Sequence, residues 1–160
     1  RKIAFYGVLN SIYNKNISDR EKGFRRAMLE LSGKPVPEEY IFRSSYDQKS
    51  AAENFLPFFS LKEKPTAMFC STDNHIPPVI CELSKHGIKV PDDFSIVGFD
   101  GIFQNQMFYD FSIATNVQPF SIMGKRAAEI LFGYINKTSV EIAQEEIPVQ
   151  FQDGGSLKQI

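Results

Sequence analysis

The sequence predicts an α/β protein of three layers, in which a mostly parallel sheet lies between helices. Short apolar runs, typical of buried strands, alternate along the chain with longer segments whose apolar residues recur at helical spacing. The connections between these segments are short, which favours parallel strands joined by helices that cover both faces of the sheet. The 160 residues suffice for one domain with a core of its own.

Six strands and four helices are predicted in alternation. Strands are expected at the apolar runs 3–8, 40–42, 66–70, 94–99, 113–115 and 147–151. The first run is apolar throughout, which indicates burial on both faces. Helices are expected at about 20–32, 51–59, 77–86 and 120–136. Ser18 or Asp19 should cap the first helix and Gly33 should end it, while Pro77 and Pro78 should delay or reshape the start of the third.

Composition and charge exclude several classes of protein. The net charge is −1 and no cluster of Lys and Arg is present, so the chain itself offers no surface for DNA. Two cysteines in apolar runs, Cys70 and Cys81, indicate reduced core thiols, which suits the cytoplasm. No apolar stretch approaches the roughly 20 residues that span a bilayer. The chain begins at Arg1 and enters a strand at once, so we expect it to be a piece of a longer polypeptide.

Polar and aromatic residues follow four successive predicted strands. Because the carboxyl ends of parallel strands share one edge of a sheet, we expect these residues to line one depression there. A ligand site is favoured by this convergence, although each residue alone has a structural alternative such as a cap or a turn. Asp19 is expected to be a cap only and His75 a loop residue. The candidate ligand-binding residues are Arg20, Tyr46, Thr72, Asp73 and Asp100.

A binding site is favoured over an enzyme. The sequence contains no Gly-rich phosphate loop, no Gly-x-Ser-x-Gly elbow and no His-Glu-x-x-His motif, so no cofactor or metal is expected. Asp73 and Asp100 leave open an acid–base pair for sugar hydrolysis. Carboxylate, guanidinium and an aromatic face are also the groups that hold a sugar through its hydroxyls and its ring face.

Three segments of the sequence resemble the lactose/galactose repressor family (LacI/GalR). They read KPTAMFCSTDN…ELSKHGIKVPDDFSIVGFDG, SIATNVQPFSIMGKRAAEILFGYI and RKIAFYG…SDREKGFRRAML. The resemblance implies a bacterial transcription regulator. Such a regulator has an N-terminal helix-turn-helix, followed by a two-lobed domain that is similar to type I periplasmic sugar-binding proteins. This chain would be the C-terminal lobe at 1–117, a crossover helix of the other lobe at 118–142, and a return strand and tail at 143–160.

The resemblance also implies roles for individual residues. Arg20 matches the effector-binding arginine of the family, Tyr46 the aromatic that lies against the sugar, and Asp100 the effector-binding aspartate. Thr72 and Asp73 stand at the family's Asn-Asp pair, and Thr72 departs from it because a hydroxyl replaces an amide. Gln118 matches a position near the crossing between the lobes.

A sugar-sensing, non-enzymatic repressor fragment is therefore the favoured hypothesis. The alternatives are a solute-binding protein of an ABC transporter, which shares the fold, and a sugar hydrolase. Operator DNA would be contacted only by the helix-turn-helix absent from this chain. A homodimer is expected, either through the family's contact near Phe108 and Tyr109 or through the apolar stripe of the last helix, which comprises Ile122, Met123, Ala127, Ile130, Leu131 and Tyr134.

Overall fold

A six-stranded sheet organises the chain, as the alternation of elements predicts. The computed structural model describes residues 2–9, 15–103, 107–108, 110–138 and 145–158. The strands are β1 (Ile3–Val8), β2 (Ile41–Ser44), β3 (Ala67–Cys70), β4 (Ser95–Asp100), β5 (Met107–Phe108), β6 (Phe111–Ser112), β7 (Ala114–Val117) and β8 (Gln150–Gln152). The α-helices are α1 (Lys15–Ser32), α2 (Gln48–Phe55), α3 (Ile76–Lys85) and α4 (Phe120–Ile135). Short 3₁₀ turns span Glu38–Tyr40, Leu56–Ser60 and Asp73–His75.

The strand order in the main sheet is β2-β1-β3-β4-β7-β8. The first five strands in this order are parallel, and only β8 runs antiparallel, alongside β7. The carboxyl ends of β1, β2, β3, β4 and β7 therefore share one edge, here called the carboxyl edge. The predicted mostly parallel α/β fold is confirmed.

Helices cover both faces of the sheet, because successive strand residues point to opposite sides. On one face, Phe24 of α1 lies against Phe5 and Phe69, with ring centroids 5.3 and 6.2 Å away. On the other face, Tyr6 and Phe42 meet Phe55 of α2 at 6.1 and 5.7 Å. Helix α3 packs beside α2 on this second face. The described core is therefore a three-layer α/β/α arrangement.

Several predicted boundaries were wrong. Helix α1 begins at Lys15, so Ser18 and Asp19 lie inside the helix, and Asp19 pairs with Lys22 instead of capping. Helix α3 begins at Ile76, because two prolines fit in a first turn, where backbone N–H groups have no partner within the helix. His75, predicted to be a loop residue, lies in the 3₁₀ turn before α3 and is fully buried. Gly33 does end α1, with φ +69°.

Helix α4 contrasts with α2 and α3, since none of its described residues is buried. The large apolar side chains on it are solvent-exposed, including Ile122, Leu131 and Phe132. The chain leaves the sheet at Val117 for this helix and returns at Gln150, which lies opposite Val117 in the β7–β8 pairing. Residues 139–144, which hold the predicted boundary after 142, are outside the described residues, as is Tyr109.

The C-terminal tail is hydrogen-bonded to the main sheet at the edge opposite the carboxyl edge. Ser156 is fully buried between β4 and β7. Its Oγ donates to the Ile96 carbonyl at 2.7 Å and accepts from the Ala114 N–H at 2.9 Å. Its main-chain N–H and C=O bond to Ser112 and Ile96. The tail thus joins the two strands where their own pairing has not yet begun.

Within the described ranges, no helix combines the length and the apolar content that crossing a membrane would require.

Candidate functional site

An ion pair between Arg20 and Asp100 forms the centre of the carboxyl edge. Arg20 lies in α1, which follows β1, and Asp100 is the last residue of β4. Arg20 Nη1 lies 3.1 Å from Asp100 Oδ1, and their side chains are only 16% and 14% exposed. Partial burial strengthens the attraction of the two charges relative to a pair in open water. The predicted convergence of these two residues is therefore present.

Two further groups hold the Arg20 guanidinium, and neither was predictable as a partner of Arg20 from its place in the sequence. Nη1 also donates to the Ser71 carbonyl at 2.5 Å. The guanidinium carbon lies 3.9 Å from the ring centroid of Phe99, a geometry typical of a cation–π contact. Phe99 belongs to an apolar run, which predicts a residue of a buried strand. Its place beside Asp100 in the same strand is the only sequence signal for this role.

Gln118 completes the cluster from the strand next to β4. Its side-chain Nε2 donates to Asp100 Oδ1 at 2.7 Å, and its backbone N–H donates to the Asp100 carbonyl at 3.2 Å. Gln118 is also the first residue after β7 on the way to α4. Asp100 Oδ1 thus forms an ion pair with Arg20 of α1 and accepts a hydrogen bond from the crossover segment.

Thr72 and Asp73 are buried, contrary to the expectation that they line a depression at the carboxyl edge. Asp73 is 0% exposed, and Thr72 is also buried. Thr72 Oγ1 accepts from the Asn74 N–H at 3.4 Å, as a cap of the 3₁₀ turn. Asp73 accepts from Thr115 Oγ1 and from the Ile102 N–H, each at 2.8 Å. Burial raises the pKa of the Asp73 carboxyl, while these two donors favour its ionised form.

Tyr46 lies at the same edge but away from the ion pair. It follows β2, and its residue is 52% exposed. Three strand spacings separate β2 from β4 in the sheet order, or about 14 Å. Its neighbour Asp47 caps α2 by accepting from the Ser50 N–H at 2.8 Å. A ligand bound at Asp100 would therefore contact Tyr46 through the side that faces away from Asp100.

The arrangement can bind a neutral polyhydroxy compound. Asp100 offers acceptors and Arg20 offers donors at one partly buried position, which matches adjacent hydroxyl groups. Among the described residues, no group of three His, Cys, Asp or Glu side chains could hold a metal ion.

The sequence of the chain also matches a known protein family. Residues 1–157 match the family model described as periplasmic binding protein-like domain. The chain belongs to this periplasmic-binding-protein-like family. Its sheet order, with the polar cluster at the carboxyl ends of parallel strands, agrees with the position at which such sheets bind ligands.

Curated relatives of this periplasmic-binding-protein-like chain are transcription regulators. It is 33% identical to catabolite control protein A of Priestia megaterium, over 99% of the chain and 47% of that protein. It is 35% identical to the helix-turn-helix repressor PurR of Actinobacillus pleuropneumoniae, over 78% of the chain and 37% of that protein. The chain spans less than half the length of these relatives. Their names favour the regulator over the transporter alternative, and the resemblance to the LacI/GalR family is confirmed.

A solved structure shares the fold. A LacI family transcriptional regulator from Enterococcus faecium, crystallised with ribose, superposes with a TM-score of 0.84 at 22% identity. The match covers 98% of this chain and 56% of that one.

Proposed function

We propose that the chain is the effector-sensing part of a bacterial LacI/GalR-type repressor, that the effector is a sugar, and that Arg20, Tyr46 and Asp100 bind it. The observation that carries the proposal is the Arg20–Asp100–Gln118 cluster at the carboxyl edge. The repressor names of the relatives and the ribose of the Enterococcus faecium regulator support it.

Binding of the effector would control the binding of the protein to DNA only indirectly. In the complete protein, operator DNA would be contacted by a helix-turn-helix that these 160 residues do not contain, and the protein would act in the cytoplasm. A sugar that touches both lobes would favour one relative orientation of the lobes, provided that its affinity for the two orientations differs.

A regulator also suits the state of the two carboxylates better than a hydrolase does. Glycoside hydrolysis needs two carboxyl groups that face the substrate. Asp73 is fully buried with both oxygens bonded inside the protein, and Asp100 is paired with Arg20.

The effector role of Asp100 can be tested in the complete protein by Asp100→Ala. We expect the affinity for ribose, or for the neutral monosaccharide that binds best in a panel, to fall by about 1.5–3 kcal/mol, because a charged hydrogen-bond acceptor is lost. Isothermal titration calorimetry measures the change. Asp92→Ala is the control, since Asp92 is exposed in the loop before β4, at the opposite edge. Equal affinities of wild type and Asp100→Ala would contradict the assignment.

The α4 segment belongs, in this proposal, with the other lobe of the complete protein. Its support is the exposure of the apolar residues of α4 together with the chain's match to only 47% of catabolite control protein A. In a solution of this chain alone, a second copy can cover that surface. Each Å² of apolar surface removed from water contributes about 25 cal/mol, so association is favoured.

We therefore expect the 18.2 kDa chain to form dimers at micromolar concentration in sedimentation equilibrium. Met123→Glu and Leu131→Glu, which place charges in the exposed apolar stripe, should shift the chain toward monomer. Lys125→Glu, on the opposite side of α4 by helical spacing, is the matched control and should leave the dimer unchanged. A wild-type monomer would refute the expectation.

A further inference from the structure

The turn that presents Asp100 has a backbone conformation that requires support. Asp100 has φ +110° and the following Gly101 has φ +76°. Glycine adopts positive φ readily, whereas an aspartate at +110° lies outside the small left-handed region open to side-chain-bearing residues. Such a conformation persists only where surrounding contacts impose it.

The carboxylate of Asp73 supplies a contact of this kind. Its Oδ2 accepts from the N–H of Ile102, two residues beyond Asp100, at 2.8 Å. Its Oδ1 accepts from Thr115 Oγ1 in β7, also at 2.8 Å. The turn after β4 is thereby fastened to the 3₁₀ turn before α3 and to the neighbouring strand. Both bonds are long-range in sequence, so neither belongs to the local turn itself.

The sheet makes space for this carboxylate at Gly98. An added Cβ at Gly98 would lie 1.9 Å from Asp73 Oδ1. Thr115 lies opposite Gly98 in the β4–β7 pairing, so its hydroxyl meets the carboxylate across the missing side chain. Gly98 and Thr115, on two neighbouring strands, thus accommodate the one buried carboxylate of Asp73.

We propose that Asp73 is a positioning residue, which holds the turn at Gly101–Ile102 so that Asp100 meets Arg20 and Gln118. It does not bind the effector directly. Burial and the nearby negative charge of Asp100 both raise the pKa of the Asp73 carboxyl. Placing a second carboxylate behind Asp100 therefore carries an electrostatic cost, which the hydrogen bonds to Ile102 and Thr115 offset.

The relevance of this role to effector binding rests on the proposed function, whereas the geometry itself can be tested without any ligand. The test compares Asp73→Ala with Asp73→Asn in the isotope-labelled chain by NMR. Asparagine keeps both connections, since its oxygen accepts from the Ile102 N–H and its amide donates to Thr115 Oγ1. Alanine keeps neither.

In Asp73→Ala we expect hydrogen-exchange protection of the Ile102 amide to fall at least about tenfold, because its bond to a charged acceptor is lost. The side-chain signals of Gln118 and Arg20 should shift, since their partner Asp100 moves. Asp73→Asn should retain both the protection and the signals. If Asp73→Ala lowers stability while the Gln118 and Arg20 signals stay at their wild-type positions, Asp73 is only structural and the proposal is overturned.

Thr115→Val provides a second test of the proposal in case Asp73→Ala does not fold. It removes only the donor to Asp73 Oδ1, and Thr115→Ser is its matched control because the hydroxyl remains. We expect the Gln118 and Arg20 signals to shift in Thr115→Val and to stay in place in Thr115→Ser. Unchanged signals in Thr115→Val would overturn the proposal. Failure of the complete protein to bind any sugar would contradict the proposed function and leave these outcomes as they are.

Discussion

Gly98→Ala should destabilise the chain by more than about 3 kcal/mol. The new Cβ would lie 1.9 Å from Asp73 Oδ1 and 2.7 Å from Ile76 Cδ1, so the buried carboxylate must move. Overpacking alone costs about 1–3 kcal/mol, and the bonds that Asp73 receives from Ile102 and Thr115 would be strained or lost as well. Denaturant unfolding followed by circular dichroism measures the loss.

A second glycine provides the control for this substitution. An added Cβ at Gly23, inside α1, would meet nothing within 4 Å. Gly23→Ala should therefore stabilise the chain by about 0.5–1 kcal/mol, as expected for a helix interior. All variants must be compared at one protein concentration, because the proposed self-association would make unfolding concentration-dependent. If Gly98→Ala costs no more than about 1 kcal/mol, the packing described around Asp73 is incorrect.

Ser156→Ala is expected to cost about 2–4 kcal/mol, although it removes a single oxygen atom close to the end of the chain. The Ala114 N–H and the Ile96 carbonyl would both lose a partner in a fully buried place. Each buried backbone group left without a partner costs about 1–3 kcal/mol. The same unfolding experiment measures the effect.

Ser84→Ala, on the exposed side of α3, is the matched change and should alter stability by no more than about 0.5 kcal/mol. A similarly small effect of Ser156→Ala would mean that the tail does not join β4 to β7 in solution.

The fold could be predicted because its determinants are local. The run Ile3–Val8 and its counterparts are apolar, short and separated by helical periodicity, which together specify parallel strands. The first and last residues of individual helices and strands were less predictable from the sequence. The polar segment at the start of α1 has no apolar periodicity of its own. The last strand is only Gln150–Gln152, since the apolar residues before it do not pair in the described sheet.

The candidate site was predictable as far as topology determines it. Arg20 and Asp100 converge because both follow parallel strands at one edge. The burial of Asp73 was not predictable in this way. Its partner Thr115 is 42 residues away, and the space it occupies exists only because Gly98, which looks like an ordinary strand residue, lacks a side chain. The buried position of Ser156 in the tail was likewise not predictable, because the sequence GGS at 154–156 has no apolar residue that would indicate burial.

The antiparallel pairing of β7 with β8 has a consequence for how such proteins change over generations. Val117 and Gln150 face each other in that pairing, so residues 118–149 form, in topological terms, an insertion at the tip of a β-hairpin. The segment leaves the sheet after Val117 and re-enters it at Gln150, and the pairing of these two residues does not depend on the residues between them. The inserted segment can therefore be lengthened, replaced or lost without shifting the register of the six strands of the main sheet. Because Gln118 bonds to Asp100, any such replacement still begins at the carboxyl edge, beside Asp100.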